Sequence, residues 1–310
     1  MADAELDSGR TAGRRSLGLS LALACGALLV GSPGALADHD SRHVCGVKQN
    51  DKVACWGNDD EGQATPPPGK FRTVSAGYEF TCGRKLNDKV KCWGSDDDGQ
   101  VSDAPTARFS AIGAGAYHAC GVKRNTKIVC WGSDGSGTVS DAPTGSNFRS
   151  VSGGDDWSCG VKRSDKVFCW GDDDADVVSD APTTNIRSLG LGTYHGCGVR
   201  RNDKVVCWGD DIYAHLSEVP PAAKFRSAGA GYEHSCALRL NGKVKCWGDD
   251  ANQTISDTPS ATFRKLTVGS AHNCGIKPND RVVCWGSDDV GQVSDTPGAR
   301  FRQVDAAVYG

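Results

Sequence analysis

The sequence has no basic excess. Its 35 Lys and Arg face 38 Asp and Glu, a net charge of −3, and the first 37 residues carry three of each sign. A nucleic-acid binder needs a basic face, so that class is set aside. No apolar run is long enough to span a bilayer, which takes ~20 residues. The most apolar stretch, Leu17 to Val30, has 14. No G-x-S-x-G, HExxH or P-loop motif occurs. Ser, His and Asp are plentiful, but they recur in register, as structural positions do, whereas an enzyme site needs one unit that differs. The reading is therefore non-enzymatic, with no cofactor and no transmembrane segment.

The apolar stretch sits in an export-type leader. Arg14 and Arg15 precede it, Ser32-Pro33-Gly34 breaks it, and Ala35 to Ala37 offers a small-residue cleavage site before Asp38. The "RRSLGL" segment is a weak twin-Arg look-alike beside the ordinary secretory reading. Residues 1–37 are thus expected to be a signal peptide and residues 38–310 the exported domain, secreted or extracytoplasmic. Cleavage removes Cys25 and turns 15 cysteines into 14. An even count in an exported chain points to disulfides.

What the chain does have is a repeat. Cysteine pairs 45/55, 82/92, 120/130, 159/169, 197/207, 236/246 and 274/284 share the spacing C-x9-C, each followed by Trp-Gly, a variable residue and Asp. Units follow one another every 37 to 39 residues without a large insertion. Each reads as four short strands: an "FRSV" strand, a hairpin of "HxCGVK" and "KVVCW", and a fourth strand at "GQVSD" before a Pro. Four strands per ~40 residues describe a propeller blade, so the expected fold is all-β, a seven-bladed β-propeller of four-stranded antiparallel blades.

The hairpin register follows from pairing residues whose numbers sum to 100 in the first unit. Cys45 then faces Cys55, Gly46 faces Ala54, Val47 faces Val53, and Gln49 to Asp51 form a three-residue loop. Such loops need a left-handed third residue; the sixth unit has Gly242 there and most others Asp. One hairpin face is Cys/Val and the other Gly/Ala/Trp, so both should be covered, as they are in a blade between two blades. Opposed cysteines suit cross-strand disulfides, Cys45–Cys55, Cys82–Cys92, Cys120–Cys130, Cys159–Cys169, Cys197–Cys207, Cys236–Cys246 and Cys274–Cys284. Buried reduced pairs are one alternative. A metal site using His43, His118, His195, His234 and His272, two residues before each first cysteine, is another, but Phe80 and Trp157 replace the His in two units. No metal is assigned.

The first unit starts at "HVCGVK" with no FRxV strand before it, while the chain finishes on a lone "FRQVDAAVYG". The C-terminal strand is therefore expected to complete the first blade and close the ring, leaving no terminal sheet edge.

The string "HxCGVKxNxKVxCWGxDxxGQ", running through residues 43–310, resembles RCC1-type repeats. The tail "GQVSDAP" is more similar to the repeats of the bacterial propeller-type β-lactamase inhibitor. The cysteine pairs resemble those of a bacterial extracytoplasmic RCC1 subgroup; the inhibitor lacks them. Guanine-nucleotide exchange is disfavoured, because no unit carries an insertion to act as a wedge.

Two loops vary between units: the one before the hairpin and the one after Trp-Gly. In a meander they emerge on one face. That face would carry Tyr78, Phe80, Tyr117, Trp157, Tyr194, Tyr213 and Tyr232 among acids, the composition of a protein-binding surface. In the resembling inhibitor, aromatics and acids at matching positions contact the target, which implicates Tyr78, Tyr117, Asp155, Asp156, Trp157, Asp173 and Tyr194. The alternative is that these aromatics pack between blades or line the axis. The WGxD aspartates (Asp59, Asp96, Asp134, Asp173, Asp211, Asp250, Asp288) read as turn residues, with calcium as the rival. The expected activity is binding of another, unidentified protein by a monomeric secreted platform, with inhibition of an extracytoplasmic enzyme such as a β-lactamase as one version. The competing class is a lectin-like propeller for envelope carbohydrate.

Overall fold

A computed structural model describes residues 42–214, 216–221 and 223–307. The expected signal peptide, residues 1–37, lies outside the described residues. Among those described there are 21 strands and no helix, arranged as seven antiparallel three-stranded sheets. The fold is a seven-bladed β-propeller. Blade two is typical: Phe71–Ala76, Phe80–Lys85 and Val90–Gly94 follow one another as a meander.

Each hairpin has the register that its residue pattern requires. In blade one Cys45 faces Cys55, Gly46 faces Ala54 and Val47 faces Val53. All seven cysteine pairs are directly opposed, with Cα atoms 4.0 to 4.1 Å apart, and each forms a disulfide within its own blade. The third loop residue is left-handed in every hairpin. Asp51, Asp88, Thr126, Asp165, Asp203, Gly242 and Asp280 have φ between 64° and 81°. The aspartates there do a second job. Arg149, Arg187 and Arg264, the Arg of the "FR" or "IR" strand, reach Asp165, Asp203 and Asp280 of their own blades at 2.6 to 2.9 Å. Where the loop residue is Thr126, the strand has Ser110 in place of Arg.

The ring is closed as expected. Strand Phe301–Ala306 pairs antiparallel with His43–Lys48, setting Val304 against Gly46 and Asp305 against Cys45. The absence of a side chain at Gly46 is needed here: a Cβ would lie 2.6 Å from the Phe301 ring. Trp56 packs on Phe301 with ring centres 5.7 Å apart, and its Nε1 donates to the carbonyl of Gln292 in the last unit, 3.0 Å away. Trp93, Trp131, Trp170, Trp208 and Trp285 make the same bond to the preceding unit at 2.9 to 3.1 Å.

The expected fourth strand is not formed. The "GQVSD" segments fold as turns, because side chains claim their backbone groups. The Trp bond takes a carbonyl in the segment. The WGxD aspartate takes the N–H groups, as when Asp96 Oδ1 accepts from Val101 at 2.9 Å and Ser102 at 2.8 Å. Asp134, Asp173, Asp211, Asp250 and Asp288 repeat this two-bond clamp. Accepting backbone N–H bonds holds the Asp96 and Asp134 carboxyls below the ordinary range. The turn reading of these aspartates thus has a direct structural basis.

The blade-to-blade seam is keyed by one pair of positions. Nε2 of His43, His118 and His195 lies 2.7 Å from the hydroxyl of Thr81, Ser158 and Ser235 in the next blade. His234 meets Asn273 at 3.0 Å. Phe80 occupies the His position where the next blade offers Ala119, and Trp157 where it offers Gly196; both packing pairs are apolar. The innermost strands line an axial cavity of about 240 Å³, with Asp305 on its wall.

Candidate functional site

The two variable loops of every blade do come together. The N–H just after Trp-Gly donates to a carbonyl just before the hairpin in all seven units: Asn58 to Arg42, Ser95 to Glu79, Ser133 to Tyr117, Asp172 to Asp156, Asp210 to Tyr194, Asp249 to Glu233 and Ser287 to Ala271, at 2.7 to 3.0 Å. Side chains in these loops therefore share one end of the ring.

On that end the tyrosines pair across blade boundaries. Tyr78 and Tyr117 meet edge-on with centres 5.5 Å apart. Tyr194 and Tyr232 lie 5.2 Å apart with planes at 59°, their hydroxyls 3.4 Å from one another. Tyr194, Tyr213 and Tyr232 line one cavity of about 210 Å³ together with Asp210 and Ile212. The Tyr213 hydroxyl is held by Glu233, and its pKa is raised by that bond and that charge. A neighbouring cavity of about 270 Å³ gathers Asp155, Asp156, Asp172, Asp174 and Asp210. Burial, reinforced by Asp156 and Asp172, pushes the Asp155 carboxyl up to about 7, and its Oδ1 has no hydrogen-bond partner among the described residues.

Of the ten residues expected on this face, Tyr194 is exposed there, and Tyr78, Tyr117, Tyr213, Tyr232, Asp155 and Asp156 are half-buried. Phe80 and Trp157 are corrections: both are fully buried, at 0% and 1% exposure, because they stand in the inward-pointing His position. Trp157 Nε1 donates to the carbonyls of Gly192 and Thr193 at 3.1 and 3.2 Å, inside the seam. Asp173 is exposed, but its Oδ1 clamps its own turn through Val178 and Ser179 at 2.7 and 3.0 Å. Sequence reasoning missed Ile212, which is 75% exposed, and Asp210 and Asp172, which face the cavities. Ile212 had a readable signal: it is an apolar residue inside an acidic turn, "DDIYAH".

Fold and repeat together define a propeller of tandem units, six of them locked to a neighbour by a Trp indole. The profile of the Regulator of chromosome condensation (RCC1) repeat matches residues 71–100, 225–253 and 263–292. Three of the seven units thus match the RCC1 repeat, and they sit in a seven-bladed β-propeller. The chain is similar to the ectodomain of the Physcomitrella patens receptor kinase CR4, at 26% identity over 80% of this chain and 71% of that one, TM-score 0.69. It is also similar to the CRINKLY WD40 ectodomain of the Arabidopsis thaliana receptor kinase ACR4, at 25% identity over 83% and 94%, TM-score 0.71. Prp20p from Saccharomyces cerevisiae shares the fold at 13% identity over 88% and 87%, TM-score 0.65. No curated protein matches the sequence.

Proposed function

We propose that the protein is a secreted, non-enzymatic binding protein that grips another protein with the loop end of a rigid propeller. The observation that carries this reading is the concentration of tyrosines and exposed Ile212 among carboxylates at one end of the ring. Aromatic anchors rimmed by polar groups are how compact protein interfaces are built. The support beneath is stiff: each blade has its own disulfide, so little order has to be gained on binding. The similarity to receptor ectodomains supports a protein-binding role outside the cytoplasm, and so do seven disulfides. The leader-like residues 1–37 supply the export route, and the propeller acts as a monomer.

One concrete form of this activity is inhibition of an extracytoplasmic enzyme such as a β-lactamase. The aromatic surface differs from blade to blade, with tyrosine pairs at blades two–three and five–six, which suits a single asymmetric protein target better than a repeated sugar pocket. The test is capture from extracytoplasmic extract by the purified protein, compared with a Tyr117→Ala/Tyr194→Ala variant, alongside hydrolysis of a chromogenic cephalosporin by a panel of β-lactamases. Loss of a specific captured protein in the variant is expected. Capture that survives the variant would move the interface off this end, and an unaffected β-lactamase panel would remove the inhibitor version.

A further inference from the structure

The two cavities on the loop end adjoin: Tyr194 and Asp210 line both. On one side are three tyrosine rings, on the other four further aspartates. No Lys or Arg lines either cavity among the described residues. A tyrosine face carries negative quadrupole potential and attracts a cation within ~6 Å of its centre. The tilt of 59° between Tyr194 and Tyr232 makes two walls of a box rather than a flat stack. Glu233, bonded to the Tyr213 hydroxyl, adds another acid at the rim.

The second cavity is incomplete as it stands. Like charges crowd it, and burial with two neighbouring carboxylates already drives Asp155 towards protonation at neutral pH. Asp156 is raised as well, by burial and by Asp172 and Asp98. Two polar atoms there lack hydrogen-bond partners among the described residues: Asp155 Oδ1 and the Oγ1 of Thr193, a residue only 4% exposed. Donors brought in by a ligand would satisfy both atoms and neutralise the charge. Tyrosine faces beside these carboxylates suit an organic cation, which an aromatic ring attracts as well as a charge does.

We infer that this end of the propeller takes a basic segment of a protein partner, seating one Lys or Arg side chain in the Tyr194–Tyr213–Tyr232 box over Asp210 and a second in the adjoining aspartate cavity. This rests on the protein-binding reading above and narrows its partner to one with a cationic stretch. Arg fits both places, since its planar guanidinium stacks on aromatic faces and donates in pairs to carboxylates.

The test is calorimetric titration of the purified protein at low salt with acetylated tetra-arginine amide, with tetra-glutamine and tetra-glutamate amides as controls. Tetra-arginine should bind at least tenfold more tightly than tetra-glutamine, and tetra-glutamate should not bind. Tyr194→Ala, Tyr232→Ala and Asp210→Asn should each weaken tetra-arginine about tenfold. Tyr232→Phe, which keeps the ring, should weaken it less than about twofold, and Leu240→Ala, at an exposed hairpin tip away from these loops, should leave it unchanged. Equal binding of tetra-glutamine, or insensitivity to both Tyr232→Ala and Asp210→Asn, would overturn the inference. So would displacement of the peptide by millimolar calcium chloride, which would mark an ion site. If tetra-arginine fails while Tyr194→Ala still abolishes partner capture, the interface stands and the cationic anchor falls. If capture is also indifferent to these changes, the platform reading falls with it.

Discussion

At the scale of single residues, the seam between blades follows a matching rule. A His meets a hydroxyl or amide in the next blade, Phe80 meets Ala119, and Trp157 meets Gly196, where a Cβ would lie 2.9 Å from the indole. One position breaks it. His272 is fully buried, its counterpart in the next blade is Val44, and neither ring nitrogen has a partner among the described residues. Burial, with Arg42 adding to it, drives the His272 pKa down from 6.5 to about 3. Val44→Thr supplies a hydroxyl of nearly the same shape, as Thr81 does for His43. It should stabilise the fold by about 1 kcal/mol, the usual net worth of one hydrogen bond, read as a higher urea midpoint at constant slope. A lower midpoint would show that the ring nitrogens are already satisfied. Asp155 gives a second prediction, of pH dependence. Its folded pKa, about 7, lies above the ordinary 3.8, so its contribution is fully present below that lower value and is lost as pH rises through 7. Asp155→Asn should therefore be neutral near pH 4 and stabilising by about 1–2 kcal/mol at pH 8, after discounting for solvent. The buried histidines slope the other way: His118, lowered to about 4 by burial, withdraws stability as pH falls from 6.5 towards 4. A denaturation series over pH 4–8 separates the two.

At the scale of elements, the hairpin was legible and the fourth strand was not. Cys45, Gly46 and Val47 fall opposite Cys55, Ala54 and Val53 by simple counting, and the left-handed Asp51 closes the loop. "GQVSD" has the look of a strand because of its β-branched Val and the Pro that follows it. What decides its form is which groups claim its backbone, and those are the indole of the next unit and the carboxylate five residues back. Local propensity does not encode either claim. Phe80 and Trp157 were misplaced for a related reason. Their loops look exposed, and only the residue they meet in the next blade, Ala119 or Gly196, reveals that they point inward. The cavities at Asp210 were illegible because loops from different blades build them. The disulfides belong to this scale too. Each closes a short loop between strands already in register, so each stabilises mainly by restricting the unfolded chain, by ~2.5–3 kcal/mol. Cys120→Ala/Cys130→Ala, in blade three, should lower stability by about that amount while keeping a folded protein, read by thermal unfolding with and without reductant. Reductant should then lower the midpoint of the variant less than that of the unaltered chain, because one bridge is already gone.

At the scale of the whole molecule, the claim that organises the rest is that residues 301–306 belong to blade one. Gly46 has no Cβ so that Phe301 can sit over it, Trp56 reaches across to Gln292, and Arg302 pairs with Asp51 at the hairpin tip. These interactions reproduce what Phe71, Trp93 and Arg72 do in blade two, so closure is the ordinary packing of a blade made between distant parts of the chain. Removing residues 299–310 should cost more than the packing of one strand. It bares the strand His43–Lys48 as an open sheet edge, which invites pairing with other molecules. The shortened chain should unfold several degrees lower and form oligomers on size exclusion. A permuted chain in which residues 299–309 directly precede His43 reads "FRQVDAAVYHVCGVK" from Phe301 onward, the same length as "FRTVSAGYEFTCGRK" in blade two. Because the packing of the ring is kept and only the connection moves, its stability should lie within about 1 kcal/mol of the unpermuted protein, the scale on which loop-closure entropy varies with connection length. Equal stability of the shortened and full chains, or failure of the permuted chain to fold as a monomer, would mean that the last strand decorates the ring without closing it.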